Sequence, residues 1–316
     1  MKALTFTEFG AASVLQYITV ADPIVTAETV LVKTTYIGLN YADIYRRQGT
    51  YHLADHTPYI DGYEGIGVIV EVGSAVTDYA IGDRVMFVDV PLANAELVAV
   101  PVANVIRVPD LLSDQFAASI GLQGLTADFL AHDLAQNQPG DRVLIHGISG
   151  GVGQILSQML TADGCQVYGV ASTPAKQRLA LDAGAEKVFL RHDDWAKDYH
   201  DYFATVFDGV GKTLPLSLQL TATRGRIVFY GMAGGNPPKV DPLALMQGSK
   251  SLMTGDLWDF LIDAPSRQKR AARLFGYVQR QQITLNVPTI FPLAEGAQAH
   301  EALEQGKVAG KILLQP

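Results

Sequence analysis

The stretch VLIHGISGGVGQILSQML (143–160) places glycines at 147, 150 and 153, at every third position. Glycine has no Cβ, so a turn built this way can tighten and bring backbone N–H groups against a diphosphate. A helix opening at that point adds the positive end of its dipole. The pattern gains meaning from its surroundings. PGDRVLIHG supplies a turn and a short apolar strand before it, and Val152, Ile155, Leu156, Met159 and Leu160 form one apolar helical stripe after it. That context predicts a dinucleotide with its diphosphate on Gly150, Gly151, Val152 and Gly153. The next strand, QVYGVA (166–171), runs into Ala171-Ser172-Thr173-Pro174-Ala175-Lys176. NAD-binding sheets usually carry an acid there, about 20 residues past the glycines, to bond the adenosine ribose. Here Ser172 and Thr173 offer small hydroxyls instead, and Lys176 follows within one helical turn, so a 2′-phosphate meets donors and positive charge. The expected cofactor is NADPH rather than NADH.

These residues need a sheet to hold them. From Gln115 onward, short strands alternate with helical stretches: RVLIH within PGDRVLIHG, then QVYGVA, KVFL (187–190), TVFD (205–208) and RIVFYG (226–231). Thr173-Pro174 forms an N-cap and first-turn pair. This alternation predicts a parallel, doubly wound Rossmann sheet. From Met1 to about Val108 the texture is β: VLVKTTYIG (30–38), GVIVEVG (67–73) and GDRVMFV (82–88) have strand composition and glycine turns. A helix around 267–282 precedes PTIFPLAEGAQAHEALEQGKVAGKILLQP, which returns to strand, helix, glycine turn and strand. The expected class is α/β, with a Rossmann cofactor domain (115–282) inserted into a mostly β substrate domain (1–114 and 283–316) and the chemistry in the cleft between them.

A chain of 316 residues with 48% hydrophobic and 18% charged residues has the composition of a compact two-domain protein. Its net charge of −8 argues against nucleic acid or an anionic membrane as partner. The single cysteine, Cys165, rules out an intrachain disulfide and a Cys-rich zinc site, and reads as a small buried hydrophobe. None of the seven histidines forms an HExxH-type pair, and His146 reads as a packed strand-end residue. No apolar run reaches membrane-spanning length, and MKALTFTEFG lacks a basic-then-apolar leader, so the expected location is cytoplasmic.

GLNYADIYRRQGTY (38–51), PYIDGYEGIGVIVEVG (58–73), GLQGLTA (121–127), HGISGGVG (146–153), FDGVG (207–211) and AGKILL (309–314) occur in this order. Together they resemble, from end to end, the zinc-free quinone oxidoreductases of the zeta-crystallin type, within the medium-chain dehydrogenase/reductase superfamily. The resemblance implies a GroES-like catalytic domain, an NADPH-binding Rossmann domain and a homodimer. Zinc-containing members carry a catalytic Cys where this chain has Leu39-Asn40, and Gly-His-Glu where it has Gly62-Tyr63-Glu64. They also carry a four-cysteine lobe, so metal-free chemistry is expected. The resemblance assigns Asn40, Asp43, Tyr45 and Tyr51 to the nicotinamide end, with Thr126 as a cofactor contact and Lys176 near the adenosine phosphate. The family's Asn-Tyr-Arg after the third strand reads Phe189-Leu190-Arg191, leaving Arg191 to compensate on the adenine side. Tyr230, Gly231 and Met232 then lie along the cofactor, Leu257 and Trp258 approach it, and Gly310-Lys311 is the C-terminal cofactor contact.

Hydride addition to a quinone or an activated alkene builds negative charge on the carbonyl oxygen, which a metal-free site must meet with hydrogen-bond donors. Asn40 and the phenols of Tyr45 and Tyr51 are the candidate catalytic donors, and a phenol can also serve as an acid. Asp43 is expected to orient a neighbour or cap a helix. Tyr63, Trp258 and Phe260 are either the walls of a flat apolar pocket or ordinary core. The expected function is NADPH-dependent hydride transfer to quinones. One alternative is an NADPH-dependent reductase of α,β-unsaturated aldehydes or ketones, and another, of a different class, is a cofactor-binding protein with little turnover. A Rossmann methyltransferase needs an acid at the end of the second strand, where this chain has Ser172.

Overall fold

The computed structural model describes residues 1–316. In chain order come β1 (Lys2–Phe6), β2 (Gln16–Thr19), β3 (Thr29–Leu39), α1 (Tyr41–Arg47), β4 (Tyr59–Ile60), β5 (Glu64–Val72), β6 (Arg84–Val88), β7 (Leu97–Pro101) and β8 (Val105–Arg107). Then follow α2 (Asp114–Phe129), β9 (Arg142–His146), α3 (Gly151–Ala162), β10 (Gln166–Ala171), α4 (Pro174–Asp182), β11 (Lys187–Leu190), β12 (Phe203–Asp208) and α5 (Leu214–Leu220). The last elements are β13 (Thr221–Phe229), α6 (Pro242–Met246), β14 (Ser251–Thr254), α7 (Ala264–Gln279), β15 (Thr289–Pro292), α8 (Gly296–Glu304) and β16 (Ile312–Gln315).

The chain forms two compact units: Met1–Leu122 with Leu261–Ala272 and Leu285–Pro316, and Gln123–Phe260 with Arg273–Thr284. The first is built on a seven-stranded sheet in the order β15-β16-β3-β5-β6-β8, with β7 also paired to β3, and a small sheet β2-β1-β4. Alternate residues of its strands face inward, Val30 and Val32, Val98 and Val100, and meet Ile69, Val85 and Phe87 in one core cluster. A second cluster joins Leu4, Phe6, Ile37 and Leu39 to Leu293, Ala299, Ile312 and Leu314, so the C-terminal residues complete a core begun at the N-terminus.

The second unit is a six-stranded sheet in the order β11-β10-β9-β12-β13-β14, parallel throughout. The order turns back between β9 and β12, the switch point at which open α/β sheets hold ligands. Five strands lie where the alternation predicts, with β13 starting earlier and ending at Phe229, which leaves Tyr230 and Gly231 in the loop beyond it; the sixth, β14, is not among those expected. Thr173 caps α4, its hydroxyl accepting the Lys176 N–H, and Pro174 begins the helix. Cys165 is buried, and burial first, then the nearby Asp141 and Asp163, pushes its thiol up to about 11.

The unit boundaries differ from the expected 114/115 and 282/283. The opening of α2 stays with the first unit because the Leu122 N–H donates to Glu64 Oε2 (2.7 Å) and Gly121 packs against that same carboxylate. The opening of α7 does so because Gln268 bonds the Val105 carbonyl (2.9 Å) and Arg267 faces Asp89 (3.7 Å).

Helix α1 ends in two consecutive arginines, Arg46 and Arg47, that are fully buried. Arg47 donates to the Gly10 carbonyl (3.1 Å), to Glu304 of α8 (2.6 Å) and to His300 Nδ1 (3.3 Å). Since arginine can only donate, His300 must accept at Nδ1 and carry its proton on Nε2. Burial, with the Arg47 charge behind it, depresses the His300 pKa from its ordinary 6.5 to about 3. A base whose pKa falls on folding stabilises the fold above its unfolded value, and that contribution is lost as pH falls from about 6.5 toward 3. We therefore expect urea-unfolding stability to drop by about 3 kcal/mol between pH 6.5 and 4 from this group. His300→Gln, which accepts from Arg47 but does not titrate, should flatten that limb; an unchanged acid limb would remove His300 as its cause.

Candidate active site

Glu64 opens β5 and has 2% of its surface exposed. Its carboxylate meets a partner on each oxygen. Oε1 accepts from Lys311 Nζ (2.5 Å) and Asn40 Nδ2 (2.8 Å), and Oε2 accepts from the Leu122 N–H (2.7 Å). Lys311, just ahead of β16 and equally buried, also donates to Asn40 Oδ1 (2.9 Å). A Cβ at Gly38 or Gly121 would run into the Glu64 carboxyl group, so these two motif glycines make room for it.

The triad fixes Asn40, and Asn40 starts α1. Its own N–H donates to Asp43 Oδ2 (2.8 Å), the acid of the first turn reaching back to the helix start. Asp43 Oδ1 takes Arg46 Nη1 (2.9 Å). Burial raises the Asp43 pKa against the lowering effects of Arg46, the Asn40 amide and Lys311. Asp61, also fully buried, is raised well above its usual range by burial and then by the Asp43 charge. Tyr45 on α1 and Tyr51 in the following loop are both half-buried. Tyr51 packs against His52 with ring centres 4.1 Å apart.

In the second unit, Gly147 turns the chain with φ +71°, and a Cβ at Gly153 would strike the Gly147 carbonyl. Gly150 caps α3 without a side chain, and the first intrahelical bond is Gln154 N–H to the Gly150 carbonyl (3.0 Å). The amides of Gly151, Val152 and Gly153 thus have no intrahelical acceptor and gather at the positive end of the helix. Ser172, Thr173 and Lys176 follow β10, and Arg191 follows β11 with its N–H on the Ala171 carbonyl (2.9 Å). Burial first, then the Arg191 charge, lowers the Lys176 pKa. Lys176 with the Arg191 charge close by, beside helix-start amides without an intrahelical acceptor, is a fitting seat for an anionic dinucleotide such as NADPH. After β12, Asp208 Oδ1 accepts from the N–H groups of Val210 (2.9 Å) and Gly211 (3.0 Å) and from Thr213 Oγ1 (2.8 Å), while Oδ2 takes Ser217 Oγ (2.7 Å). The Ala233 N–H then bonds the Gly209 carbonyl (3.1 Å), fastening the loop of Tyr230, Gly231 and Met232 to the loop after β12.

The structure therefore gathers the glycine loop, Ser172, Thr173, Lys176, Arg191 and Tyr230–Met232 at the carboxyl ends of the parallel strands. Thr126 lies half-buried on α2; Leu257, buried, and Trp258, half-buried, lie on a 3₁₀ turn after β14. Three of the side chains that the resemblance assigns have polar atoms engaged inside the protein. The Asp43 side chain is buried and holds the helix start and Arg46, which makes it a cap. The Asn40 amide nitrogen is directed at Glu64 and at the Gly38 carbonyl (3.3 Å), so it supports the buried carboxylate. The Lys311 ammonium is spent on Glu64 and Asn40, leaving only its backbone to approach a cofactor. Tyr63 is core, 5% exposed, and Phe260 is half-buried, its ring stacked on Phe129 with ring centres 4.7 Å apart. Sequence reasoning passed over Glu64, Arg46 and Asp208. An acid inside a glycine-flanked apolar strand was the available signal for Glu64.

A switch-point glycine loop in a parallel sheet, beside Lys176 and Arg191, is the frame of a dinucleotide-binding unit. Residues 26–110 match the alcohol dehydrogenase GroES-like domain family, and residues 151–259 match the zinc-binding dehydrogenase family. A probable quinone oxidoreductase of Schizosaccharomyces pombe is 33% identical over 312 residues, spanning 96% of this chain and 94% of the relative. A 2-haloacrylate reductase of Burkholderia sp is 32% identical over 301 residues, spanning 91% and 90%. The crystal structure of Escherichia coli quinone oxidoreductase complexed with NADPH superposes with a TM-score of 0.95 at 28% identity, covering 100% of both chains. The chain belongs to the quinone oxidoreductase family of the medium-chain dehydrogenases/reductases. The zinc of the matched family's description has no counterpart in the donor set, since no group of three or more His, Cys, Asp or Glu side chains converges.

Lys311→Met strands a buried carboxylate and should cost about 3–5 kcal/mol. Adding Glu64→Gln should return a large part of that loss. Equilibrium denaturation of the single and double variants measures both, and additive losses would mean the pair is not coupled.

Proposed function

We propose that this protein transfers a hydride from NADPH to quinones without a metal. The carrying observation is the assembly of helix-start amides, small hydroxyls and two cations at the carboxyl ends of β9, β10 and β11. In this reading Gln123–Phe260 with Arg273–Thr284 holds most of the cofactor, and Met1–Leu122 with Leu261–Ala272 and Leu285–Pro316 serves the substrate. The amides of Gly151, Val152 and Gly153, with Gly150 opening the helix, take the diphosphate, and Ser172, Thr173, Lys176 and Arg191 take the adenosine 2′-phosphate. Thr126, Tyr230, Gly231, Met232, Leu257, Trp258 and the Lys311 backbone line the remaining length. Bound NADPH supplies the hydride. Tyr45 and Tyr51 donate hydrogen bonds to the carbonyl oxygen as charge develops on it, and a phenol or water delivers the proton that completes the hydroquinone. Asn40 acts through α1, which it anchors.

The 2-haloacrylate reductase relative favours a second reading, reduction of an alkene activated by a neighbouring carbonyl, with the same donors. The family resemblance also supports a cytoplasmic homodimer; no helix is long and apolar enough to cross a membrane. Light scattering of the purified chain tests the dimer.

Cofactor oxidation with NADPH and NADH, against 1,4-benzoquinone and an enone, tests the assignment. NADPH consumption with the quinone, insensitive to a chelator, is expected. Lys176→Ala should raise KM for NADPH by about tenfold to a hundredfold and leave NADH nearly unchanged, because only the phosphate loses a charge-assisted bond. Equal losses for both cofactors would remove the phosphate assignment. Tyr51→Phe should lower kcat by about a hundredfold if its hydroxyl meets the developing charge.

A further inference from the structure

Between the end of α1 and the start of β4 runs an irregular segment, residues 48–58, that carries Tyr51 and His52. Such a segment has no ladder to hold it, so the placement of a phenol on it depends on side-chain anchors. One buried group supplies most of them. The Arg46 guanidinium has no exposed surface, so it touches neither solvent nor substrate. It donates from Nη1 to Asp43 in its own helix (2.9 Å) and from Nε to the backbone carbonyl of His52 (3.0 Å), and Nη2 lies 3.4 Å from His52 Nε2. Its plane covers the Tyr63 ring at 3.6 Å, and the Tyr51 ring lies 5.1 Å away. Tyr63 in turn accepts the Ala54 N–H at its hydroxyl (3.0 Å), a second tie on the same segment. The carbonyl that Arg46 holds belongs to the residue next to Tyr51. A planar fork with five donors can serve a carboxylate, a backbone carbonyl and a ring face together, and a lysine ammonium cannot.

We propose that Arg46 is a positioning residue for reduction: it locks the segment 48–58 so that the Tyr51 hydroxyl is held for the substrate oxygen. This rests on the reading of Tyr51 as a donor. Arg46 sets the backbone of residue 52 and flanks the ring of residue 51, with Tyr63 as the plate beneath the guanidinium. Asp43 keeps the fork oriented, so the chain from Asn40 through Asp43 and Arg46 transmits the fixed position of Glu64 and Lys311 to the loop.

The test is a double-mutant cycle on the full-length enzyme with NADPH and 1,4-benzoquinone, using Arg46→Lys, Tyr51→Phe and both together. Arg46→Lys should lower kcat by about tenfold or more through misplacement of the donor, with KM for NADPH unchanged. In the Tyr51→Phe background the same substitution should lower kcat by less than twofold, because the group it places is gone. Equal losses in both backgrounds would overturn the proposal and leave Arg46 a purely structural residue. A Tyr51→Phe enzyme as fast as the parent would instead remove the donor reading itself, and with it the reason for the lock. If Arg46→Lys fails to fold by circular dichroism, Tyr63→Leu takes its place. It leaves the Asp43–Arg46 pair intact, removes the plate, and should show the same dependence on Tyr51; independence from Tyr51 would again count against the proposal.

Discussion

A carboxylate shut away from water has to be met on every lone pair it retains, and Glu64 is met from three directions in sequence. Lys311 arrives from just ahead of β16, Asn40 from the turn between β3 and α1, and the Leu122 amide from α2. Burying an ion and its counter-ion costs several kcal/mol each before their attraction is counted. The arrangement is therefore weak as a source of stability and strong as a constraint. Moving any one of the three segments strands a charge or a polar group, so the segments hold a single arrangement. The glycines at 38 and 121 exist in this frame for the same reason, since a methyl group at either position would displace the carboxyl.

Helix α1 inherits that fixity. It is only seven residues long, too short to persist by its own hydrogen bonds. Its start is capped by Asp43 and tied through Asn40 to the buried pair. Its end is tied twice, by Arg47 to α8 and the Gly10 carbonyl, and by Arg46 to the loop beyond. Two adjacent arginines on a helix point in different directions, so one faces the C-terminal helix and the other faces the segment bearing Tyr51. The charges are costly to bury, and what they supply in return is a short helix with no freedom to rotate.

The second unit was largely legible in the sequence because each of its signals is local. A glycine turn, an apolar strand and a hydroxyl cap are each written in a few neighbouring residues, and β9, β10 and β11 fall where those signals put them. The first unit was legible as β-structure but not as a site. Lys311 and Glu64 are far apart in sequence, and nothing in either stretch announces its partner. Resemblance marked Asn40, Asp43 and Lys311 as cofactor contacts, and the coordinates turn all three side chains inward. Their roles follow from burial, a property of the folded chain that a motif does not carry. Asp61 was quoted only as part of a turn, yet its burial beside Asp43 holds its carboxyl in the protonated direction.

The same inward turn bears on the kind of substrate. Tyr63 occupies the position where zinc-containing relatives carry histidine, and its ring is pressed under Arg46 while its hydroxyl takes a backbone amide. The positive charge beside Glu64 is the Lys311 ammonium, which is already committed to two partners. In the proposed reaction, then, the oxygen of the acceptor meets neutral phenols rather than a cation. A quinone or a conjugated carbonyl spreads the incoming charge over its own π-system, and a modest donor is then enough. In that reading the donors of the chain suit acceptors that are already electron-poor and delocalised, a quinone or a conjugated carbonyl.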